Sequence, residues 1–221
     1  MGPLKKESKI GYLHACDIEE NASEHFSMIE ERNSILVSGA AYPAGDSRSA
    51  AACPRALDIA ADSFLGRPSS SDVAVEAIAG FINDEIYGMQ EKDKAFLCNL
   101  AVVYVFKGKT RVYTAGDAAT MFFDEGELKE VWYGGGKAIG SAADPELIYS
   151  DEFELNGDAR FILVAGKDKA AIEETVAFYK ENRGEEPEDT ESFVKGKHCS
   201  YVNLYLPKRD KRSMIPFVPV F

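Results

Sequence analysis

Apolar residues recur along this chain with two different periods, and the changes between them outline its elements. Glu7 to Ala15 reads as a first strand. His25 to Glu31 and Ser34 to Ser38 bracket a tight turn at Glu31-Arg32-Asn33 and read as a hairpin. Gly39 to Ser49 is rich in small residues, contains Pro43 and Gly45, and reads as a loop. The alanine-rich segment from Ala50 to Leu65 then places Cys53, Leu57, Ala60 and Phe64 on one helical face. Pro54 is tolerated only in a first turn, so this helix is expected to start late or to kink. Ser69-Ser70-Ser71-Asp72 supplies N-cap chemistry for a second helix, whose stripe is Val75, Ile78, Ile82, Ile86 and Met89. The polar run Gln90 to Lys94 ends it.

Beyond that break the pattern is extended. Phe96 to Lys107 is a nearly all-apolar strand that turns at Gly108 into Thr110 to Ala115. Met121 to Phe123 and Leu128 to Tyr133 form a hairpin about Asp124-Glu125-Gly126. Ile148 to Leu155 and Arg160 to Val164 are expected to pair around Asn156-Gly157-Asp158, the strongest short turn signal in the chain. Lys169 to Glu181 is an amphipathic helix carrying Ile172, Val176 and Tyr179. An acidic loop, Asn182 to Thr190, and a final strand, Ser200 to Leu206, follow. The tail from 207 to 221 holds a basic patch, Lys208 to Arg212, and an apolar end, Ile215 to Phe221. Strands, then two helices, then a run of hairpins give an α+β fold of mostly antiparallel sheets with helices packed outside. With neither a repeat nor a separating linker, residues 1–221 are expected to form one domain with a core of about 8–206.

Composition narrows the function. With 37 acidic and 25 basic residues the net charge is -12, which repels phosphate backbones and anionic lipid. Nucleic acid and membrane are therefore not expected partners. The charged N-terminus has no apolar signal region, and no run approaches the ~18 apolar residues of a membrane helix, so a cytoplasmic protein is expected. Cys16, Cys53, Cys98 and Cys199 are scattered, with no CxxC pair, and suit small buried residues better than zinc ligands or disulfides. His14, His25 and His198 form no Ser/His/Asp order. Gly134-Gly135-Gly136-Lys137 lacks the spacing of a phosphate-binding loop and reads as a flexible connection.

Several segments carry a resemblance. Arg111-Val112-Tyr113-Thr114-Ala115-Gly116-Asp117-Ala118 resembles the strand ending in the Gly-Asp-Ser motif of the PPM family, the metal-dependent type 2C serine/threonine phosphatases. Met121 to Leu128, with its Asp124-Glu125-Gly126-Glu127, is similar to that family's next hairpin. Ala138-Ile139-Gly140, Pro145-Glu146, Leu155-Asn156-Gly157-Asp158 and Phe161 to Ala165 are similar to its approach to a Ser-Asp-Gly motif. Gly45-Asp46 resembles the Gly-Glu that follows its Asp-Gly-x-Gly-Gly loop. The resemblance spans roughly 8 to 206 and implies an α-β-β-α layered sandwich.

It also implies a chemistry: two divalent cations held by carboxylates, activating a water that attacks phosphorus. Most of the matching positions here lack the carboxylate. The early Glu-Asp pair falls at Ser23-Glu24 or Glu24-His25, the Asp-Gly of the loop at Ser38-Gly39, the Asp of Ser-Asp-Gly at Lys167, and the late Asp-Asn at Cys199-Ser200. Glu24, Asp117 and, through a one-residue slip, Asp168 remain as candidate metal ligands. An ammonium at Lys167 would stand where a dication should sit, and two like charges ~4 Å apart repel by several kcal/mol at moderate dielectric. Lys167 either replaces the metal in an ion pair with Asp117 and Glu24 or points to solvent. The expectation is a pseudophosphatase with no catalytic residue and no metal cofactor, binding a protein partner such as a phosphoprotein, a kinase or an active phosphatase. The alternative is an active Mg- or Mn-dependent phosphatase with a rearranged site.

Overall fold

A computed structural model of the chain describes residues 11–16, 24–30, 35–44, 51–66, 72–90, 96–135, 137–141, 148–155 and 157–207. Two antiparallel sheets lie face to face. One has the order β1-β11-β10-β6-β7, formed by β1 (Gly11–Cys16), β11 (Cys199–Leu206), β10 (Ala159–Gly166), β6 (Ala118–Asp124) and β7 (Glu127–Tyr133). The other has the order β2-β3-β4-β5-β8, formed by β2 (Glu24–Glu30), β3 (Ile35–Pro43), β4 (Cys98–Phe106), β5 (Lys109–Ala115) and β8 (Ile148–Tyr149), with β9 (Phe153–Glu154) also on β5. Helices α1 (Ala52–Gly66) and α2 (Asp72–Gly88) belong with the second sheet, and α3 (Lys169–Glu181) and α4 (Thr190–Lys197) with the first. The result is the expected α-β-β-α sandwich.

The strand sequences dictate this layering. Side chains alternate across a sheet, so a strand covered on both faces must be apolar at nearly every position. In β4, Leu100, Val102 and Tyr104 meet the α1–α2 layer, while Ala101, Val103 and Val105 face the opposite sheet. In β10, Phe161, Leu163 and Ala165 fill the space between sheets, while Ile162 and Val164 pack beneath α3. Each helix needs only one apolar stripe: Cys53, Leu57, Ala60 and Phe64 on α1, and Ile172, Val176 and Tyr179 on α3. Pro54 sits in the first turn of α1, where its missing N–H costs no helical hydrogen bond. Among the described residues, no helix is long and apolar enough to cross a membrane.

Three local expectations are corrected. Gly39 to Pro43 is strand, not loop: Gly39, Ala40 and Ala41 pair with β2 on one side and β4 on the other. Their small side chains reflect burial on both faces, Ala41 under the helices and Ala40 between the sheets. The segments Ile148 to Leu155 and Arg160 to Val164 are not a hairpin. β8 and β9 pair with β5, whereas β10 lies between β6 and β11, so the turn at Gly157 carries the chain from one sheet to the other. The acidic loop ends in a helix that the hydrophobic pattern missed. Asp189 caps α4 by accepting a hydrogen bond from the Ser192 N–H at 3.0 Å. The turn at Glu31-Arg32-Asn33, the serines before Asp72 and the basic and apolar tail lie outside the described residues.

Candidate functional site

Antiparallel register brings the chemistry-bearing segments to one end of the sandwich. Cys16, Ser200, Ala165 and Ala118 form a row across one sheet. Glu24, Ala41, Leu100 and Ala115 form the matching row across the other. The β5–β6 turn, Gly116-Asp117, crosses between the two rows. Gly166-Lys167-Asp168 leaves the same end to start α3.

A buried amide ties this end together. Asn99 is 1% exposed near the start of β4. Its Nδ2 donates to the Gly166 carbonyl at 2.9 Å, and its Oδ1 accepts from the Asp117 N–H at 3.0 Å. One side chain thus joins β4 of one sheet to the end of β10 in the other and fixes the intervening turn. The packing is close enough to demand glycine at position 116. Its φ is +69°, and a Cβ there would lie 2.1 Å from Asn99 Oδ1. Asn99 was not anticipated from sequence, where it reads as one polar residue interrupting a strand. A lone amide near the start of an otherwise apolar run is the one signal the sequence carries.

Asp117 is held half-buried by that turn, and its carboxylate has no hydrogen-bond or salt-bridge partner among the described residues. Burial pushes its pKa above the usual carboxylate range, repulsion from Asp168 adds to the rise, and Lys169 offsets part of it. Asp168 is already engaged as the N-cap of α3, accepting from the Ala171 N–H at 3.0 Å. Beside these acids lies a cleft of about 620 Å³, lined by the Gly116–Ala118 turn, Tyr133-Gly134-Gly135, and Lys169, Ile172 and Glu173 of α3. Lys169 Nζ reaches Glu173 at 3.4 Å.

The remaining sequence candidates are distributed unevenly. Glu24 occupies the first position of β2, in the row that ends at Ala115. Ser38 and Gly39 lie in mid-strand, opposite Val103 and Val102, with Ser38 buried between continuous pairings rather than at the strand end. Cys199 and Ser200 are at the end but fully buried, and pair with Gly166 and Ala165. Lys167 is exposed; its N–H donates to the His198 carbonyl at 3.0 Å, and it forms no salt bridge with Asp117.

The two divalent cations implied by the resemblance need several oxygen ligands apiece. Among the described residues no three carboxylate, imidazole or thiolate groups come together. Asp168 is committed to a helix cap, and Asn99 has an employed donor and acceptor. Among the described side chains at this end, only Asp117 offers an uncommitted carboxylate. These side chains do not fit a two-metal cage.

Comparison with known proteins identifies the architecture. No family model matches the sequence, and no curated protein does either. Solved structures match over nearly the whole chain. The S. agalactiae serine/threonine phosphatase has a TM-score of 0.67 at 11% identity, covering 90% of this chain and 99% of that one. The PPM Ser-Thr phosphatase MsPP from Mycobacterium smegmatis has a TM-score of 0.61 at 11% identity, covering 90% and 98%. PppA of Pseudomonas aeruginosa, described as a key regulatory component of T6SS, has a TM-score of 0.62 at 15% identity, covering 90% and 96%. At such identities the likeness is one of backbone architecture, and it agrees with the layer order and strand pairing described above. This chain has the fold of the PPM-type serine/threonine phosphatases.

Proposed function

We propose that this protein is a pseudophosphatase, a PPM-fold domain that acts in phospho-signalling by binding proteins and needs no metal cofactor. The observation that carries this reading is the donor set at the end of the sandwich. Neutral or cationic groups, Lys167, Cys199 and Ser200, stand at the positions where the resemblance places metal-binding acids. The Asn99 amide, carried on β4 of one sheet, donates to the end of β10 in the other and accepts from the turn between them, and so supplies cohesion that bound cations would otherwise provide. PppA, a structural neighbour described as a key regulatory component of T6SS, supports the regulatory part of this reading. The partners we propose are phosphoproteins, kinases or active phosphatases, met in the cytoplasm.

A second reading retains one specific observation in its favour. Asp168 lies close enough to raise the pKa of Asp117, so two carboxylates do share this end of the fold, in line with a rearranged Mg or Mn site completed by Glu24. Thermal melting with and without millimolar Mn²⁺, beside a p-nitrophenyl phosphate assay on the same sample, separates the two. A metal present at 100 times its Kd would add ~2.7 kcal/mol of stability. We expect no shift and no turnover. A clear shift with Mn²⁺-dependent turnover, lost in Asp117→Asn, would overturn the pseudophosphatase reading.

A further inference from the structure

We propose that the open edge of β7, together with the cleft at its end, takes an extended basic segment of a partner protein, with one lysine or arginine side chain entering beside Asp117. This deepens the protein-binding reading by naming the surface and the chemistry it selects, and it rests on that reading.

Three observations converge here. First, β7 ends the strand order of its sheet, and among the described residues its only paired neighbour is β6. The Gly134 N–H donates to the Ala118 carbonyl at 2.9 Å. Antiparallel ladders alternate, so the backbone amides of Tyr133 and Val131, whose partners are Ala119 and Met121, point to the open side. An added strand would find its hydrogen-bonding groups there.

Second, the edge runs directly into the 620 Å³ cleft, to which Tyr133 and Gly134 both contribute. Tyr133 is 42% exposed, leaving part of its ring accessible as the wall of a cation site. Gly134 packs directly on the turn that carries Asp117, since a Cβ there would sit 2.2 Å from the Gly116 carbonyl oxygen, and this brings the end of the edge next to Asp117.

Third, the charge selects the occupant. The Asp117 carboxylate has no hydrogen-bond donor or ion pair among the described residues, and Lys169 acts on it only through its charge. Lys169, the cation of the cleft lining, is shared with Glu173. On the strand itself Lys129 is held by Glu127 at 2.8 Å, while Glu130 is exposed. The whole chain carries -12, which speeds encounter with a basic segment and disfavours an acidic or phosphorylated one at this edge, so a phosphoprotein partner would dock here through an unphosphorylated basic stretch. Alternate side chains of an added strand face the same way, so a basic residue at every second position would bring one over the cleft and place others along the edge.

The test uses the full chain and a fluorescein-labelled decapeptide alternating arginine and valine, followed by fluorescence anisotropy. Peptides with glutamate or phosphoserine in place of arginine serve as competitors. We expect the arginine peptide to bind, to weaken with added salt, and to lose about tenfold in affinity with Asp117→Asn, which corresponds to ~1.4 kcal/mol. Val131→Pro removes an outward donor without touching the β6 ladder and should weaken binding too. Should that variant fail to fold, amide hydrogen exchange on the unaltered protein decides, with Val131 and Tyr133 gaining protection on binding. Absence of binding at millimolar peptide overturns the proposal. So does equal or better binding of the glutamate or phosphoserine peptide, or unchanged affinity in Asp117→Asn with Val131 and Tyr133 unprotected. Mn²⁺-dependent turnover in a protein that still binds the peptide at β7 would end the pseudophosphatase reading and leave the docking edge standing.

Discussion

Glu186 and Asp117 both stand against the β1-β11-β10-β6-β7 sheet, yet their carboxylates have opposite surroundings. Glu186, in the loop between α3 and α4, accepts from the hydroxyls of Tyr201 at 2.9 Å and Tyr179 at 3.4 Å and from the Asn203 amide. Both tyrosine rings are buried in an aromatic layer with Phe178 and Phe193. Burial, as the largest cause, pushes both hydroxyls far above the usual tyrosine range, so they act as neutral donors. The loop is pinned further by Arg160, which donates to the Gly184 carbonyl, and by the Gly184 N–H, which donates to the Tyr179 backbone carbonyl at 2.8 Å. Asp117 has the reverse situation: its turn is fixed through the backbone N–H by Asn99, and its carboxylate is left over. A carboxylate saturated by its own chain holds structure together. One that is positioned by its backbone and left without donors is available to something else.

The contrast can be broken most severely at the Asp117 end. Gly116→Ala would force a Cβ into Asn99 Oδ1 at a positive φ, and we expect a loss of ~3 kcal/mol or more in urea denaturation. Asn99→Ala should destabilise by ~2–3 kcal/mol by leaving a buried carbonyl and N–H unpaired. The double variant should lose clearly less than the sum, because both changes break the same clamp. Additive losses would show that Asn99 and Gly116 are not coupled.

On the other side of the comparison, Glu186→Ala should cost ~2 kcal/mol by stranding two tyrosine hydroxyls and an amide. The same substitution in a Tyr201→Phe background should cost less, and an equal cost in both would deny Glu186 its role as shared acceptor. Hydrogen exchange in the 182–189 loop gives an independent readout, with protection expected to fall.

The smallest effect belongs to Asp117→Asn, and its sign is the informative part. The folded-state pKa of Asp117 is raised, so the folded chain holds this proton more readily than the unfolded one. Stability then falls as pH rises through the raised value, and replacing the carboxylate relieves that loss. We expect a gain below ~1 kcal/mol, as befits a partly exposed charge, present at pH 7 and gone near pH 3. A loss at pH 7 would mean that Asp117 has a stabilising partner.

What the sequence determined by itself was everything governed by local period and local turn chemistry. The nearly unbroken apolar run of β4 announced a strand covered on both faces, and the stripes of α1, α2 and α3 announced their single buried faces. The strand and turn that carry Asp117 were legible because Arg111 to Ala118 is one contiguous stretch. The structure alone decided which sheet each strand joins. The Asn-Gly segment before β10 has the chemistry of a hairpin, yet β8 and β9 pair with β5 while β10 pairs with β6 and β11, so the chain changes sheets there. The small residues of β3 have the composition of a loop, and only burial on both faces makes them a strand. Asn99 bonds to groups 18 and 67 positions away, and Glu186 to Asn203 17 positions away, separations with no period to betray them. Side-chain hydrogen bonds of this kind follow from long-range register, which is set by packing the whole sandwich and is not encoded in any one stretch of the chain.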